Sequence, residues 1–344
     1  MTSLQISLLV IGLVTLLSVW AYNAWVSRKN APRQADAIPP TVTDDNAVLA
    51  ELGPIEPVMA DDLNSLPQPD KKPAIDALID AITPIEVESL VSGDAILAAL
   101  PHTRRVGTKP FAVEGLNELS GEWESPVAGR RYSAVQAAVQ LANRVGAINE
   151  IEFSEFVIKA QAVADNLNGD TVFPDMLEEV ARGRELDQFA SAHDAQLSFT
   201  LCARASAWSP GYIHQHAARL GFVAGVIPGR MVLPSAVPGL PPILALSFDT
   251  QAAMADDPAL SAIREFDLSL DVPQISRTEA PFRQLRDAAL LLAQAMDGVV
   301  TDGGGHVLSE SALDAITVDL EQLYDALDLR ELSAGSAQAR RLFS

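Results

Sequence analysis

The chain is poor in positive charge and in sulfur. Only 24 of its 344 residues are Lys or Arg, against 45 Asp or Glu, giving a formal net charge of −21. Nucleic acids are held by clustered cations. No basic stripe interrupts this acidic balance, so a role in binding DNA or RNA is not expected. There is one cysteine, Cys202, which can form neither an intrachain disulfide nor a zinc knuckle and points to a reducing compartment. The five histidines are equally sparse. His214 and His216 lie two apart, so on a helix they diverge and make a poor metal pair; they read as surface helix residues. Gly303-Gly304-Gly305 follows Asp302 without the G-x-x-x-x-G-K-[ST] pattern of a phosphate loop and reads as a turn before the last helix. Glu122-Trp123-Glu124 reads as strand packing between solvated carboxylates rather than an acid/base pair. No Ser/His/Asp arrangement has a local signature. We therefore expect no enzyme, no cofactor, no metal site and no small-molecule substrate.

What is present begins at the N-terminus. Residues Ile6 to Val26 carry no charge, and at about 1.5 Å per residue such a run crosses a hydrocarbon core of roughly 30 Å. Trp20, Tyr22 and Trp25 gather at its end, and Arg28, Lys29 and Arg33 follow, with no basic residue before it. Aromatic rings favour the headgroup level and cations stay cytoplasmic. The expectation is a single-pass anchor over 1–27 with the N-terminus periplasmic and the bulk cytoplasmic. A cleaved signal peptide would want a charged region before a shorter apolar core. Residues 28–73 combine Pro39-Pro40, Pro54, Pro57, Pro67, Pro69 and Pro73 with many carboxylates. Such a composition stays extended and reads as a spacer.

From about Ala74 the pattern is globular and repeats. Phe153–Val172 and Phe282–Thr301 align without gaps, sharing Phe153/Phe282, Ala160/Ala289, Ala164/Ala293 and Gly169/Gly298. Both show helical spacing, with a glycine expected at the C′ position. An alternating strand precedes each: Val135, Ala137, Val139 and Leu141 in one, Phe266, Leu268, Leu270 and Val272 in the other. A second helix follows each, over Asp175–Ser191 and Ser309–Leu329. Upstream, the first copy reads strand (78–90), short helix (93–100) and strands at 108–115 and 121–125. The second reads strand (196–205), helix (210–220) and strands at 222–233 and 242–249. Ser209-Pro210 is an N-cap followed by proline at N1, and Gly221 ends that helix. The expected fold is α+β: two tandem domains, 74–194 and 195–335, each an antiparallel sheet with helices on one face.

The second copy resembles the C-terminal domain of the ZipA cell-division family. The likeness rests on four features: a first strand with a helix ending in RLGFVAG (219–225), the PPILALSFD strand (241–249), FDLSLDVP (266–273), and a helix ending in AMDGVV (295–300) before a turn and C-terminal helix. The resemblance covers about 140 residues. An anchor, an acidic proline-rich linker and a globular end repeat the family's layout, whereas a first globular copy is unusual for it. The resemblance implies a tether at the bacterial inner membrane and division septum. Its C-terminal domain would bind the C-terminal tail of FtsZ in a shallow groove on the helix-free sheet face.

Carrying that groove over requires the strand faces. Leu197, Phe199, Leu201 and Ala203 are expected to face the helices, as are Leu244, Leu246 and Phe248. The outward, partner-binding set is Ser198, Thr200, Cys202, Ile227, Ile243, Ala245, Ser247, Asp267 and Ser269. This set is more polar than the family's apolar groove, and an anchor side chain gains roughly 1.5–3 kcal/mol only when fully buried. The equivalent face of the first copy carries Ala134, Gln136, Ala138 and Gln140. Two rival roles follow: an adaptor of the same layout for another division or envelope protein, or a membrane-anchored enzyme with a site between the domains.

Overall fold

The computed structural model describes residues 32–35 and 75–344, apart from 256 and 258–260. The expected anchor (1–27) and most of the expected spacer lie outside the described residues. Among the described residues, no helix is long and apolar enough to cross a membrane. The chain is α+β with antiparallel sheets and falls into two compact units. Of the described residues, one unit comprises 75–194 with Ala337–Ser344, the other Ala195–Ser336 with 32–35.

The first unit is built on β1 (Asp80–Val87), β2 (Lys109–Asn117), β3 (Arg131–Gln140) and β4 (Gly169–Thr171). Their order across the sheet is β2-β3-β1-β4, every pairing antiparallel. Helix α1 (Gly93–Ala99) follows β1. Helices α2 (Glu150–Asn166) and α3 (Met176–His193) flank β4 in sequence. Alternation along β3 explains one face. Val135, Ala137 and Val139 are buried, and Phe111 of β2, in register with Val139, meets Phe156 of α2 at 6.1 Å between ring centroids. Phe153 and Phe173 complete the cluster around Phe156. Asn149 begins α2 with a capping box, accepting from the Ile151 and Glu152 N–H groups while Glu152 reaches back, so the orphan donors of that turn are satisfied.

The second unit repeats the order. Its strands are β5 (Gln196–Ala203), β6 (Val223–Ala224), β7 (Arg230–Leu233), β8 (Leu244–Ser247), β9 (Glu265–Asp271) and β10 (Gly298–Thr301). They are arranged β6-β7-β8-β9-β5-β10, so β8-β9-β5-β10 matches β2-β3-β1-β4. Helices α4 (Pro210–Ala218), α5 (Pro281–Met296) and α6 (Glu310–Leu329) complete it. Ser209 caps α4 through the Tyr212 N–H with Pro210 at the first helical turn, as its sequence indicates.

Four details depart from the sequence expectation. The expected single strand 222–233 is a hairpin, β6 and β7, because Pro228-Gly229 turns the chain and the Arg230 N–H closes on the Ile227 carbonyl at 3.1 Å. The left-handed position after α2 and α5 is taken by Asn168 (φ 50°) and Asp297 (φ 56°) rather than by the glycines. Gly169 and Gly298 instead start β4 and β10, where a neighbouring strand passes close. A Cβ on Gly169 would lie 2.7 Å from the Glu86 carbonyl oxygen. Arg33, placed in the spacer by its sequence context, forms a parallel bridge to Trp208. Its N–H donates to the Ala207 carbonyl and its carbonyl accepts from Ser209. Ala207 and Ser209 are buried, and buried backbone groups require partners. Finally, a short helix α7 (Ala337–Leu342) returns to the first unit.

Candidate peptide-binding faces

Strand register places seven of the nine outward residues on one face of the second sheet. Ser198 pairs with Ser269, Thr200 with Asp267, Ala245 with Ser269 and Ser247 with Asp267, and Cys202 follows the same alternation. Paired residues share a face and alternate ones oppose it. Phe199, Leu201, Leu246 and Leu268 are buried on the opposite side. Ser198, Ser247 and Asp267 are exposed, while Thr200, Cys202 and Ser269 are half-buried. Much of this polarity is satisfied within the sheet. The Thr200 hydroxyl donates to Asp267 Oδ1 at 2.6 Å, and Cys202 Sγ lies 3.7 Å from the Thr301 hydroxyl.

Three of the nine need correction. Ile243 is 4% exposed and Ala245 9%, so neither is an outward contact. The Ile243 N–H donates to the Leu233 carbonyl at 2.8 Å, and at that position an isoleucine is withdrawn from water. Ala245 sits between Val232 and Ser269 in register, and the flanking strands shield its methyl group. Ile227 is exposed, but it lies in the β6–β7 turn and not on a strand.

The register also exposes residues that the expected single strand 222–233 concealed. Val223, Val232, Ala245, Ser269 and Ser198 form one row across β6, β7, β8, β9 and β5. The face is therefore graded. Its β6–β7 edge is apolar, with Val223 50% exposed and Val226 and Ile227 uncovered at the turn. Its β9–β5 side is serine, threonine and aspartate.

No family model matches this chain, and no curated protein does either.

In the first unit the corresponding face is covered at one end. Ala138 and Gln140, expected outward, are each 1% exposed. Asp80 is the register partner of Gln140, and both side chains reach α7. Arg341 donates to Asp80 through Nη1 at 2.9 Å and Nη2 at 2.5 Å. Gln140 Nε2 donates to the Arg341 carbonyl at 2.9 Å. Gln338 Nε2 donates to Asp76 Oδ2 at 2.7 Å. Burial pushes the Asp80 carboxyl upward, while the Arg341 guanidinium opposes that shift. A six-residue helix at the chain end leaves little periodicity to read, so sequence reasoning missed it.

The remaining chemistry-bearing residues are accounted for by the fold. Among the described residues no group of three His, Cys, Asp or Glu could hold a metal. His214, read as a surface residue, is half-buried, lies 5.8 Å from the Phe248 ring and has its pKa lowered by burial. Asp302 Oδ1 accepts from the Gly304 and His306 N–H groups, which makes the triglycine a turn. Glu124 accepts from Asn117 at 2.8 Å and from the Tyr132 hydroxyl at 3.0 Å. A cleft of about 270 Å³ between α5 and α6 is lined by Arg277, Phe282, Arg283, Leu320 and Tyr324. Burial pushes the Tyr324 phenol up to about 12.

Proposed function

We propose that this chain is a ZipA-like membrane tether of bacterial cell division, whose second unit binds the C-terminal tail of FtsZ. In this reading the two units are tandem copies of the ZipA C-terminal fold, the segment over 1–27 anchors the chain in the inner membrane, and its role is binding rather than catalysis. The observation that carries the reading is the graded sheet face of the second unit. A short amphipathic peptide would lay its apolar side on Val223, Val232 and Ile227 and its polar side toward Ser269 and Ser198. A shallow edge of this kind gives modest affinity, since only a few side chains become buried at roughly 1.5–3 kcal/mol each. Many tethers beneath one polymer compensate through avidity.

The test is fluorescence anisotropy of a labelled peptide copying the FtsZ tail of the same organism, titrated with the full chain. Saturable binding that weakens with Ile227→Asp or Val223→Asp supports the reading. Absence of binding up to millimolar chain, with the fold intact by circular dichroism, overturns it. A second reading, an adaptor for another division or envelope protein, is favoured by the serine and aspartate surface of β9 and β5, which offers little to an apolar anchor.

A further inference from the structure

The first unit holds a short helical peptide of its own chain, and the way it is held suggests a site rather than a piece of core. Residues 337–344 carry a six-residue helix, too short to be stable without its surroundings. Ala339, Leu342 and Phe343 are fully buried, while the polar attachment is a set of discrete side-chain bonds. A buried carboxylate receives the guanidinium of Arg341 through both terminal nitrogens. A buried amide reads the Arg341 carbonyl, and Asp76 receives Gln338. Planar two-point recognition of guanidinium by carboxylate is directional and selects arginine over lysine.

The fit is incomplete. Gln140 is 1% exposed, and its Nε2 donates twice, to the Ala142 carbonyl at 2.6 Å and the Arg341 carbonyl at 2.9 Å. Its Oε1 is buried with no partner among the described residues. Turning the amide over would place that oxygen against two carbonyls, so the vacancy does not depend on how the amide is assigned. The Gln140 amide is thus anchored to residues 337–344 through its nitrogen alone.

We propose that this sheet face of the first unit is an exchangeable peptide site for a helical segment carrying an arginine followed by two apolar residues, and that residues 337–344 close it in cis. The site lies on the other unit from the FtsZ-tail face and takes a different peptide, so the two ideas stand or fall separately.

The probe is a fluorescein-labelled peptide with the sequence of residues 336–344, titrated into the full chain. A cis segment competes at high effective concentration, so the wild-type chain binds the probe weakly. Arg341→Ala in the chain frees the site, and the probe binds at least about tenfold tighter. Adding Asp80→Asn to that variant removes the gain. Equal probe binding by the wild type and a folded Arg341→Ala chain overturns the proposal. Should Arg341→Ala fail to fold, hydrogen exchange on the wild-type chain decides. Excess unlabelled peptide then speeds exchange in residues 337–344 while β3 keeps its protection. Exchange of 337–344 only at the global unfolding rate, unchanged by peptide, overturns the proposal equally.

Discussion

Asp80 and Arg341, 261 positions apart, meet through two hydrogen bonds of 2.9 and 2.5 Å, with the carboxylate 1% exposed and the guanidinium 24%. A buried carboxylate is costly without its partner, so each residue depends on the other. In a double-mutant cycle with Asp80→Asn and Arg341→Ala, each single change destabilises and the double change costs less than their sum. The expected coupling is about 1–3 kcal/mol, read by thermal or urea unfolding. Additive effects would mean that the pair contributes nothing as a pair.

His214 makes the stability of the second unit depend on pH through burial alone, with no charged partner in the cause of its shift. Its Nε2 is buried without a partner among the described residues, and burial lowers its pKa below the ordinary 6.5. The unfolded chain therefore binds the proton more readily. The stability contribution is full above the unfolded value near 6.5 and is lost as pH falls through it toward the lowered folded value. The melting temperature of the second unit should fall across that window, and His214→Gln should flatten the fall. An equal slope in the variant would assign the effect elsewhere.

The two repeat-related glycines separate sterics from chain entropy. A Cβ at Gly169 would sit 2.7 Å from the Glu86 carbonyl oxygen, whereas at Gly298 the nearest atoms, Cys202 O and the Trp208 ring, are 3.3 Å away. Gly169→Ala is expected to cost about 1–3 kcal/mol, because a strand backbone must shift. Gly298→Ala is expected to be within about 1 kcal/mol of neutral, since the lost freedom of the unfolded chain offsets mild crowding. Chemical denaturation of the two variants checks the order.

Legibility in the sequence follows range of interaction. The long helices and the alternating strands at 135–141 and 266–272 announce themselves because burial on one face imposes a period. The hairpin at 223–233 did not, since the apolar residues on either side of Pro228-Gly229 (Val226-Ile227 and Met231–Leu233) read as one strand continuing through the turn. Asn168 and Asp297 take the left-handed positions, and the glycines start the following strands, where the close approach to Glu86 requires one at 169. The α7 clasp and the Arg33 bridge rest on contacts hundreds of residues apart, which no local pattern carries. The candidate face was legible in its strand interiors (Ser198, Thr200, Ser247, Asp267, Ser269). It was missed at Val223 and Val232, where register rather than periodicity decides.

Tail recognition should be local to the apolar edge. Val223→Asp and Ile227→Asp are each expected to weaken FtsZ-tail binding by about 1–2 kcal/mol, roughly 5- to 30-fold. Ser198→Asp, at the polar end of the same row, should change it less than about threefold. Peptide titrations with the three variants rank them. Equal losses at all three would mean that the whole face, not its edge, carries binding.

The most direct measurement is flotation of FtsZ with liposomes carrying the full chain. If the chain acts as the proposed tether, intact FtsZ rises with these vesicles, FtsZ lacking its C-terminal tail stays in the bottom fraction, and Ile227→Asp in the chain reduces recovery. Recovery of both FtsZ forms alike, or of neither, would contradict a tail-specific membrane tether.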